Sequence, residues 1–313
     1  MSQVFALHPT SSTEVVNASR DEYAPLSTGM TLCYRSHGNA SAPAVILIAG
    51  LGLQLHYWPQ TLLEGLVEQG FRVITLDNRD VGHSSRHDSP PVTLKDLIFN
   101  RGNPAGYTVT DMAHDVAALM DHLGIESAHV AGMSMGGMIT QELAAHHPNR
   151  VLTMTSIFST TGSRRVGQPS LKGKLTVIRK RSREKAEAIR NYIDTSHFIA
   201  GGRFHIDDTV LADYADKAWE RGGGRKSVLG VSRQIGAILN SGDRTAHLGR
   251  INAPALVIHG DRDPLVNVSG GYATADAIRG ARLVLIPGMG HLITDDVSPL
   301  LLDLLTGHFR RAA

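Results

Sequence analysis

Residues 128–144, A-H-V-A-G-M-S-M-G-G-M-I-T-Q-E-L-A, contain the turn around which this chain of 313 residues is organised. Short apolar residues lead into Ser134 and a helical pattern leaves it, so a buried strand is predicted to turn sharply into a helix at the serine. Gly132 and Gly136 lie two residues on either side, where a side chain would collide with the reversing backbone. The pattern leaves two interpretations open: a strained turn that projects a reactive hydroxyl, and a glycine-rich connection without chemistry.

Composition and charge exclude several classes of protein. The chain has 31 Lys and Arg against 29 Asp and Glu, so nothing indicates a nucleic-acid or anionic-membrane partner. Cys33 is the only cysteine, which excludes an intramolecular disulfide and a thiolate-rich metal site. The N-terminal residues lack a secretory signal pattern, and no stretch approaches the roughly 18 apolar residues that cross a bilayer. We therefore expect a cytoplasmic protein with no transmembrane segment.

Strands and helices alternate through most of the chain, which predicts an α/β fold with a mostly parallel central sheet and helices on both faces. A run such as Ala44 to Ala49 is aliphatic throughout, as in strands buried on both faces of a parallel sheet. The predicted strands are 31–36, 44–49, 71–77, 128–133, 151–158, 255–259 and 282–286. The predicted helices are 58–69, 110–124, the segment from the serine to a point before Pro148, 271–278 and 297–309.

The alternation stops for about ninety residues, from Thr161 to His247, where several helices are predicted with no strand between them. We therefore predict a core domain formed by residues 1–160 and 248–313, with a helical cap subdomain at 161–247. The first part of the cap is basic. A solvated helix face explains this charge more simply than an anionic ligand does, although both remain open. The basic residues are Arg164, Arg165, Lys172, Lys174, Arg179, Lys180, Arg181, Arg183, Lys185 and Arg190.

Three residues suited to nucleophilic catalysis each follow the C-terminal end of a predicted parallel strand, where sites form in open α/β sheets. They are Ser134, Asp263 and His291. A serine hydroxyl needs an imidazole to take its proton, and a carboxylate must orient that imidazole. We assign His291 as the base and Asp263 as the orienting acid. Asp261 is a weaker candidate because it directly follows Gly260 at the strand end, and no acid occurs at Ser159 or Thr160, the other place for it.

Backbone amides are needed to stabilise the oxyanion of a tetrahedral intermediate. We expect these amides to come from Met135, immediately after the serine, and from Leu51 in the loop Gly50-Leu51-Gly52. The same loop, G-L-G-L-Q-L, could be compared with a dinucleotide fingerprint, but Leu occupies the last position, where Gly or Ala is required. We predict no cofactor. We also predict no metal, because the adjacent His146 and His147 point to different sides of a helix.

Four motifs give the sequence a family resemblance: D-N-R-D-V-G-H-S at 77–84, G-M-S-M-G-G at 132–137, H-G-D-R-D-P at 259–264 and I-P-G-M-G-H at 286–291. The chain resembles α/β-hydrolases of the esterase and lipase group, in the branch that contains aclacinomycin methylesterase and related bacterial lipases and esterases. The resemblance implies an α/β-hydrolase fold with the cap inserted after the sixth strand. Ala49 departs from the family pattern, since many relatives have His there, which puts the detailed geometry of the oxyanion loop in doubt. Ser134 separates the chain from dehalogenases and epoxide hydrolases, which have Asp at this place.

The expected function is a cofactor-independent carboxylic ester hydrolase that works on a small-molecule ester through an acyl-enzyme. The same residues would serve a thioesterase, a lactonase, a carbon–carbon bond hydrolase or a perhydrolase, because these differ mainly in leaving group and pocket. A non-catalytic receptor that keeps the pocket as a binding site is the alternative from another class.

Overall fold

Eight strands form one central sheet in the computed structural model, which describes residues 20–99, 101–178, 182, 184–224 and 227–311. The sheet order is β1-β2-β4-β3-β5-β6-β7-β8, in which β2 is antiparallel to β1 and β4 and the remaining pairs are parallel. The predicted mostly parallel sheet is confirmed. The strands are β1 Glu22–Pro25, β2 Thr31–His37, β3 Ala44–Ile48, β4 Arg72–Leu76, β5 Ala128–Met133, β6 Val151–Ile157, β7 Ala255–Gly260 and β8 Arg282–Ile286.

The central strands are the ones that the sequence predicts most directly. Every residue of β3, β5 and β7 is buried, in keeping with their aliphatic runs.

By contrast, β1 was not predicted. It is a four-residue edge strand in which only Ala24 is buried, so it offers almost no alternation to detect. The five-residue helix α2, Leu94–Ile98, was likewise assigned to irregular structure.

Helices cover both faces of the sheet, as predicted. One face packs against α3 (Val109–His122) and α4 (Met135–His146), and the other against α1 (Gln60–Glu68) and α11 (Ser298–Phe309). A further helix, α10 (Ser269–Ala277), packs beside β7 and β8. The two layers are two separate apolar clusters: side chains such as Val116 and Ile139 lie in one, and Leu62 and Leu301 lie in the other. Such double burial is what allows the central strands to be apolar throughout.

Among the described residues between β6 and β7, the regular secondary structure is entirely helical. It contains α5 (Leu171–Ile178), α6 (Lys185–Ile199), α7 (Asp208–Arg221), α8 (Ser227–Ser241) and α9 (Thr245–Leu248). We refer to α5 to α8 as the helical insertion. It follows the sixth strand, as expected, while its limits as a subdomain, 161 and 247, stay predictions. Four basic residues of the predicted run lie outside the described residues: Arg179, Lys180, Arg181 and Arg183.

None of the helices in the described ranges combines the length and the apolar character needed to cross a bilayer.

Helix α3 begins at a capping box, one residue before the predicted start at residue 110. The N-cap is Thr108, whose Oγ1 accepts a hydrogen bond from the Asp111 amide at 3.2 Å while the Asp111 carboxylate accepts one from the Thr108 amide at 2.7 Å. The same reciprocal pair occurs at Thr93 and Asp96, at the start of the short helix α2. Two otherwise unpaired helical amides are satisfied in each case.

We expect Thr108→Ala to lower the free energy of unfolding by about 1 kcal/mol, because the cap serves a 14-residue helix packed on the core. Thr93→Ala is the matched control, since it removes the same motif from a five-residue helix and should cost less. Urea denaturation of both variants measures the difference. An equal or larger loss in the Thr93 variant would contradict the prediction.

Candidate active site

Ser134 lies in a strained turn between β5 and α4. Its φ of 55° and ψ of −120° are unusual for a residue with a side chain. Hydrogen bonds hold the residue from both sides: its amide donates to the Ile157 carbonyl at 2.9 Å, and its carbonyl accepts from Ser159 Oγ at 2.7 Å. The end of β6 therefore holds the serine backbone through both its amide and its carbonyl group.

Close approach to neighbouring backbone explains the glycines around Ser134. A Cβ atom on Gly136 would overlap the carbonyl oxygen of Ile48, and one on Gly132 would overlap that of Gly136. A Cβ on Gly50 would stand 3.2 Å from the Ser134 Cβ atom, so the loop after β3 lies directly against the serine. The spacing of Gly132 and Gly136 thus reflects steric exclusion at two points of the turn, and Gly50 packs tightly against it from the loop after β3.

The structure brings the three predicted side chains together. Ser134 Oγ lies 2.9 Å from His291 Nε2, and His291 Nδ1 lies 2.6 Å from Asp263 Oδ2. The other carboxylate oxygen of Asp263 accepts hydrogen bonds from the amides of Leu265 and Val266, each at 2.8 Å. Both oxygens are therefore occupied, and the side chain is fully buried. This arrangement fixes the carboxylate against the imidazole.

Asp261, the weaker candidate, has a different partner. Its carboxylate accepts a hydrogen bond from the Gly288 amide at 2.6 Å and lies at the exposed surface. It therefore ties the loop after β7 to the loop that precedes His291. The other position considered for an acid is occupied by Ser159, whose hydroxyl donates a hydrogen bond to the Ser134 carbonyl.

The backbone around His291 is held by the helical insertion. The His291 amide donates to the Ile199 carbonyl at 2.6 Å, and the Gly290 amide donates to the Ala200 carbonyl at 2.9 Å. The Phe158 ring lies 4.5 Å from the imidazole, centroid to centroid. The end of α6 thus orients this loop.

A second histidine lies near the carboxylate without joining the chain of contacts to the serine. His259 Nε2 is 2.8 Å from the Val266 carbonyl and 3.6 Å from Asp263 Oδ2. Burial lowers the pKa of His259, so the ring is neutral near pH 7 and adds no competing positive charge beside Asp263.

The amides expected to bind the oxyanion belong to Met135 and to Leu51, which lies in the loop after β3. Met135 is the first residue of α4, so its amide has no acceptor within the helix and points out of the positive helix end. The loop that carries Leu51 is held by Gln234, a fully buried residue of α8. Gln234 Oε1 accepts from the Gly52 amide at 2.9 Å, and its Nε2 donates to the Arg79 carbonyl at 2.8 Å. Sequence reasoning missed Gln234, because nothing local marks a glutamine 182 residues away.

Asp77 directly follows β4, the position at which a dinucleotide-binding site has its acidic residue. Here other residues of the protein bind its carboxylate. Its carboxylate accepts hydrogen bonds from the amides of Leu55 and His83 at 2.8 and 2.9 Å and pairs with Arg221 at 2.7 Å. Burial raises the pKa of Asp77, while Arg221 and these amides oppose that shift. The residue therefore anchors the loops at this end of β4 and α7.

A cavity of about 780 Å³ lies next to the site. Aromatic side chains line it, including Tyr57, Tyr192 and Tyr214, and so do Leu292 and Ile293. The latter two directly follow His291, but the serine, the imidazole and Asp263 are not among its lining residues. The cavity therefore adjoins the three side chains without including them.

Comparison with known proteins agrees with this architecture. The sequence pattern of the alpha/beta hydrolase fold matches residues 43–171, the segment from β3 through the serine to α5. The solved enol-lactonase from Burkholderia xenovorans LB400 is 26% identical, with a TM-score of 0.69 over 92% of this chain and 100% of that one. The chain has the α/β-hydrolase fold.

Sequence relatives of this chain include two whose similarity spans most of both chains. Rhodomycin D methylesterase DnrP from Streptomyces peucetius is 28% identical over 304 residues, covering 90% of this chain and 96% of the relative. 3-Oxoadipate enol-lactonase 2 from Acinetobacter baylyi is 27% identical over 250 residues, covering 80% and 82%. The resemblance to the methylesterase branch, inferred from the motifs, is confirmed.

The close packing of Gly136 at the serine turn can be tested directly. We expect Gly136→Ala to lower the free energy of unfolding by about 1–3 kcal/mol, because the added methyl group has no space beside the Ile48 carbonyl. Gly307→Ala is the control: that helical glycine of α11 has open space around its Cβ position, and alanine there should stabilise by up to about 1 kcal/mol. Urea denaturation compares the two. Equal effects would show that close approach does not explain Gly136.

Proposed function

We propose that this α/β hydrolase cleaves carboxylic esters through an acyl-enzyme, with Ser134 as the nucleophile. The observation that carries the proposal is the continuous contact from Ser134 Oγ through His291 to Asp263, at 2.9 and 2.6 Å. Each group sits on a different loop at one edge of the sheet, which is where open α/β sheets form their sites.

In the first half of the reaction, His291 Nε2 takes the proton from Ser134 as Oγ attacks the ester carbonyl. The amides of Leu51 and Met135 donate to the oxyanion of the tetrahedral intermediate. The imidazolium then gives its proton to the leaving alcohol oxygen as the carbon–oxygen bond breaks. This leaves the acyl group on the serine.

In the second half, His291 removes a proton from a water molecule, which attacks the acyl carbonyl. Collapse of the second intermediate releases the carboxylic acid and returns the proton to Ser134. Asp263 keeps the proton of the neutral imidazole on Nδ1, so Nε2 faces the serine in both halves. Every proton that His291 takes up in the cycle is passed on to the leaving group or returned to Ser134, so these steps need no cofactor.

The methylesterase relative supports an ester as substrate, because its similarity spans 90% of this chain. A lactone is the second candidate, supported by the enol-lactonase relatives. The attack on a lactone is the same, but the leaving alcohol stays tethered to the acyl group. We further propose that residues 161–247 act as a cap that selects the substrate, since α6 holds His291 and α8 holds the oxyanion loop.

Substituting the nucleophile tests the mechanism. We expect Ser134→Ala to lower kcat/KM for a short p-nitrophenyl ester by about 10⁴-fold or more, because no other group then forms the acyl-enzyme. A serine-reactive phosphonate should label the wild-type protein at Ser134. Comparison of methyl esters with five- and six-membered lactones then ranks the two substrate classes. Full activity in the variant, or a label on another residue, would refute the assignment.

A matched pair of variants tests whether Asp263 or Asp261 is the acid that orients His291. We expect Asp263→Asn to lower kcat by about 10⁴-fold, because an amide would no longer hold the reactive imidazole tautomer. Asp261→Asn should keep kcat within about tenfold of wild type, because its contact is with the Gly288 amide, away from the imidazole. Steady-state kinetics on the same ester measures both. Losses of equal size would contradict the assignment of Asp263.

A further inference from the structure

Three potential metal ligands meet at the far end of the helix that begins beside Ser134. They are Glu142 and His146 of α4 and His247 of α9, and their ligand atoms all lie within 4.8 Å of one another. Glu142 and His146 are eight and twelve residues beyond the serine, which places them roughly 12 and 18 Å from it along the helix axis. The cluster is therefore separate from the site proposed for ester hydrolysis.

Helix geometry and tertiary packing together assemble this group. Glu142 and His146 are four residues apart, so they share one face of α4. Helix α9 packs against α4 and supplies the third side chain. His247 Nδ1 lies 3.1 Å from both carboxylate oxygens of Glu142, and His146 Nε2 lies 3.3 Å from one of them. Only the fold brings His247 close to His146, so the sequence alone pairs His146 with its neighbour His147.

These separations suit a shared metal ion. Zinc binds imidazole nitrogen and carboxylate oxygen at about 2.0–2.2 Å, so two ligand atoms of a tetrahedral site stand roughly 3.3 Å apart. The nitrogen-to-oxygen distances of the cluster already have nearly this value. We propose that Glu142, His146 and His247 bind one divalent transition-metal ion of the zinc class. Because the two histidine side chains are 28% and 35% exposed, water can reach the fourth position.

The charges around Glu142 decide which class of metal fits. Its carboxylate is fully buried, accepts a hydrogen bond from Thr110 Oγ1 at 2.6 Å, and lies 3.7 Å from the buried Arg244 Nε. This arginine offsets part of the negative charge, so the site disfavours Ca²⁺ and Mg²⁺, which bind chiefly through oxygen ligands. Two neutral imidazoles favour Zn²⁺, Co²⁺, Ni²⁺ or Cu²⁺ instead.

A second group in the described residues, Asp21, Cys33 and His83, has similar spacing but a different environment. The Arg221 guanidinium already lies against it, paired with Asp21 and 3.8 Å from the Cys33 sulfur. Burial raises the pKa of Cys33 to about 12, so the thiol does not supply a thiolate near neutral pH. We therefore expect one metal ion per chain.

Bound metal would cross-link two parts of the chain. Helix α4 starts at the proposed nucleophile, and α9 is the point where the chain returns from the helical insertion to β7. The competing explanation of the same contacts is that the two histidines pair directly with Glu142 without any metal. The two explanations differ in whether the protein takes up Zn²⁺.

Calorimetric titration of the tag-free, metal-stripped protein with ZnCl₂ near neutral pH tests the proposal. We expect one bound ion in the wild type, and an affinity lowered more than about tenfold in His146→Gln and in His247→Gln. His122→Gln is the control, because that exposed ring lies beside Tyr34 and belongs to neither group. It should bind like the wild type. Circular dichroism verifies that every variant is folded.

Thermal denaturation provides a second measurement. Excess ZnCl₂ should raise the Tm of the wild type and of the control, and it should leave the Tm of the two ligand variants unchanged. Excess CaCl₂ should change none of them. No uptake of Zn²⁺ by the wild type, or uptake of equal affinity in the two ligand variants, would overturn the proposal and leave the histidine–carboxylate ion pairs as the explanation.

Discussion

The backbone strain at Ser134 is the constraint on which the rest of the site depends. A side-chain-bearing residue with φ of 55° persists only when its surroundings leave no alternative. Here the serine amide is bound by the end of β6, and the following glycine packs on the carbonyl oxygen at the end of β3. Contacts with β3 and β6, the two strands that flank β5, therefore hold the serine in this strained conformation. It directs the hydroxyl toward His291 and leaves the first amide of α4 beside it.

The imidazole is positioned in a different way, by hydrogen bonds that occupy both oxygens of Asp263 and the amide of His291. Asp263 uses one oxygen for the loop that carries it and the other for His291. A buried carboxylate with its hydrogen bonds complete has little freedom to reorient, because each alternative position leaves buried donors unpaired. The histidine amide is bound by the Ile199 carbonyl in the same way. Precision at this site therefore comes from the surrounding loops as much as from the three side chains.

The sequence predicted those parts of the structure whose cause is local. Buried strands are continuous aliphatic runs, and Ser134, Asp263 and His291 each follow such a run, so their meeting at one sheet edge follows from parallel topology. Contacts that join distant segments left no local trace. Gln234 reaches the loop after β3 from α8, and His247 reaches Glu142 from α9. The residues that flank Gln234 and His247 in the sequence do not distinguish these two positions from ordinary helical residues.

Charge ties the helical insertion to the core at the motif that carries much of the family resemblance. Asp77 and Asp80 follow β4, and both of their side chains are fully buried. Their partners, Arg221 and Arg233, belong to α7 and α8. A buried carboxylate is costly without a partner, so these residues favour the arrangement in which both helices lie on the strand ends.

The same docking fixes groups that belong to the proposed site. Helix α8 also supplies Gln234, which holds Gly52, and the end of α6 binds the His291 loop. Lifting the insertion away would therefore break the ion pairs and release the loop after β3 and the imidazole together. Because these contacts are shared, the segment proposed to select the substrate is also needed to position the groups proposed to react with it.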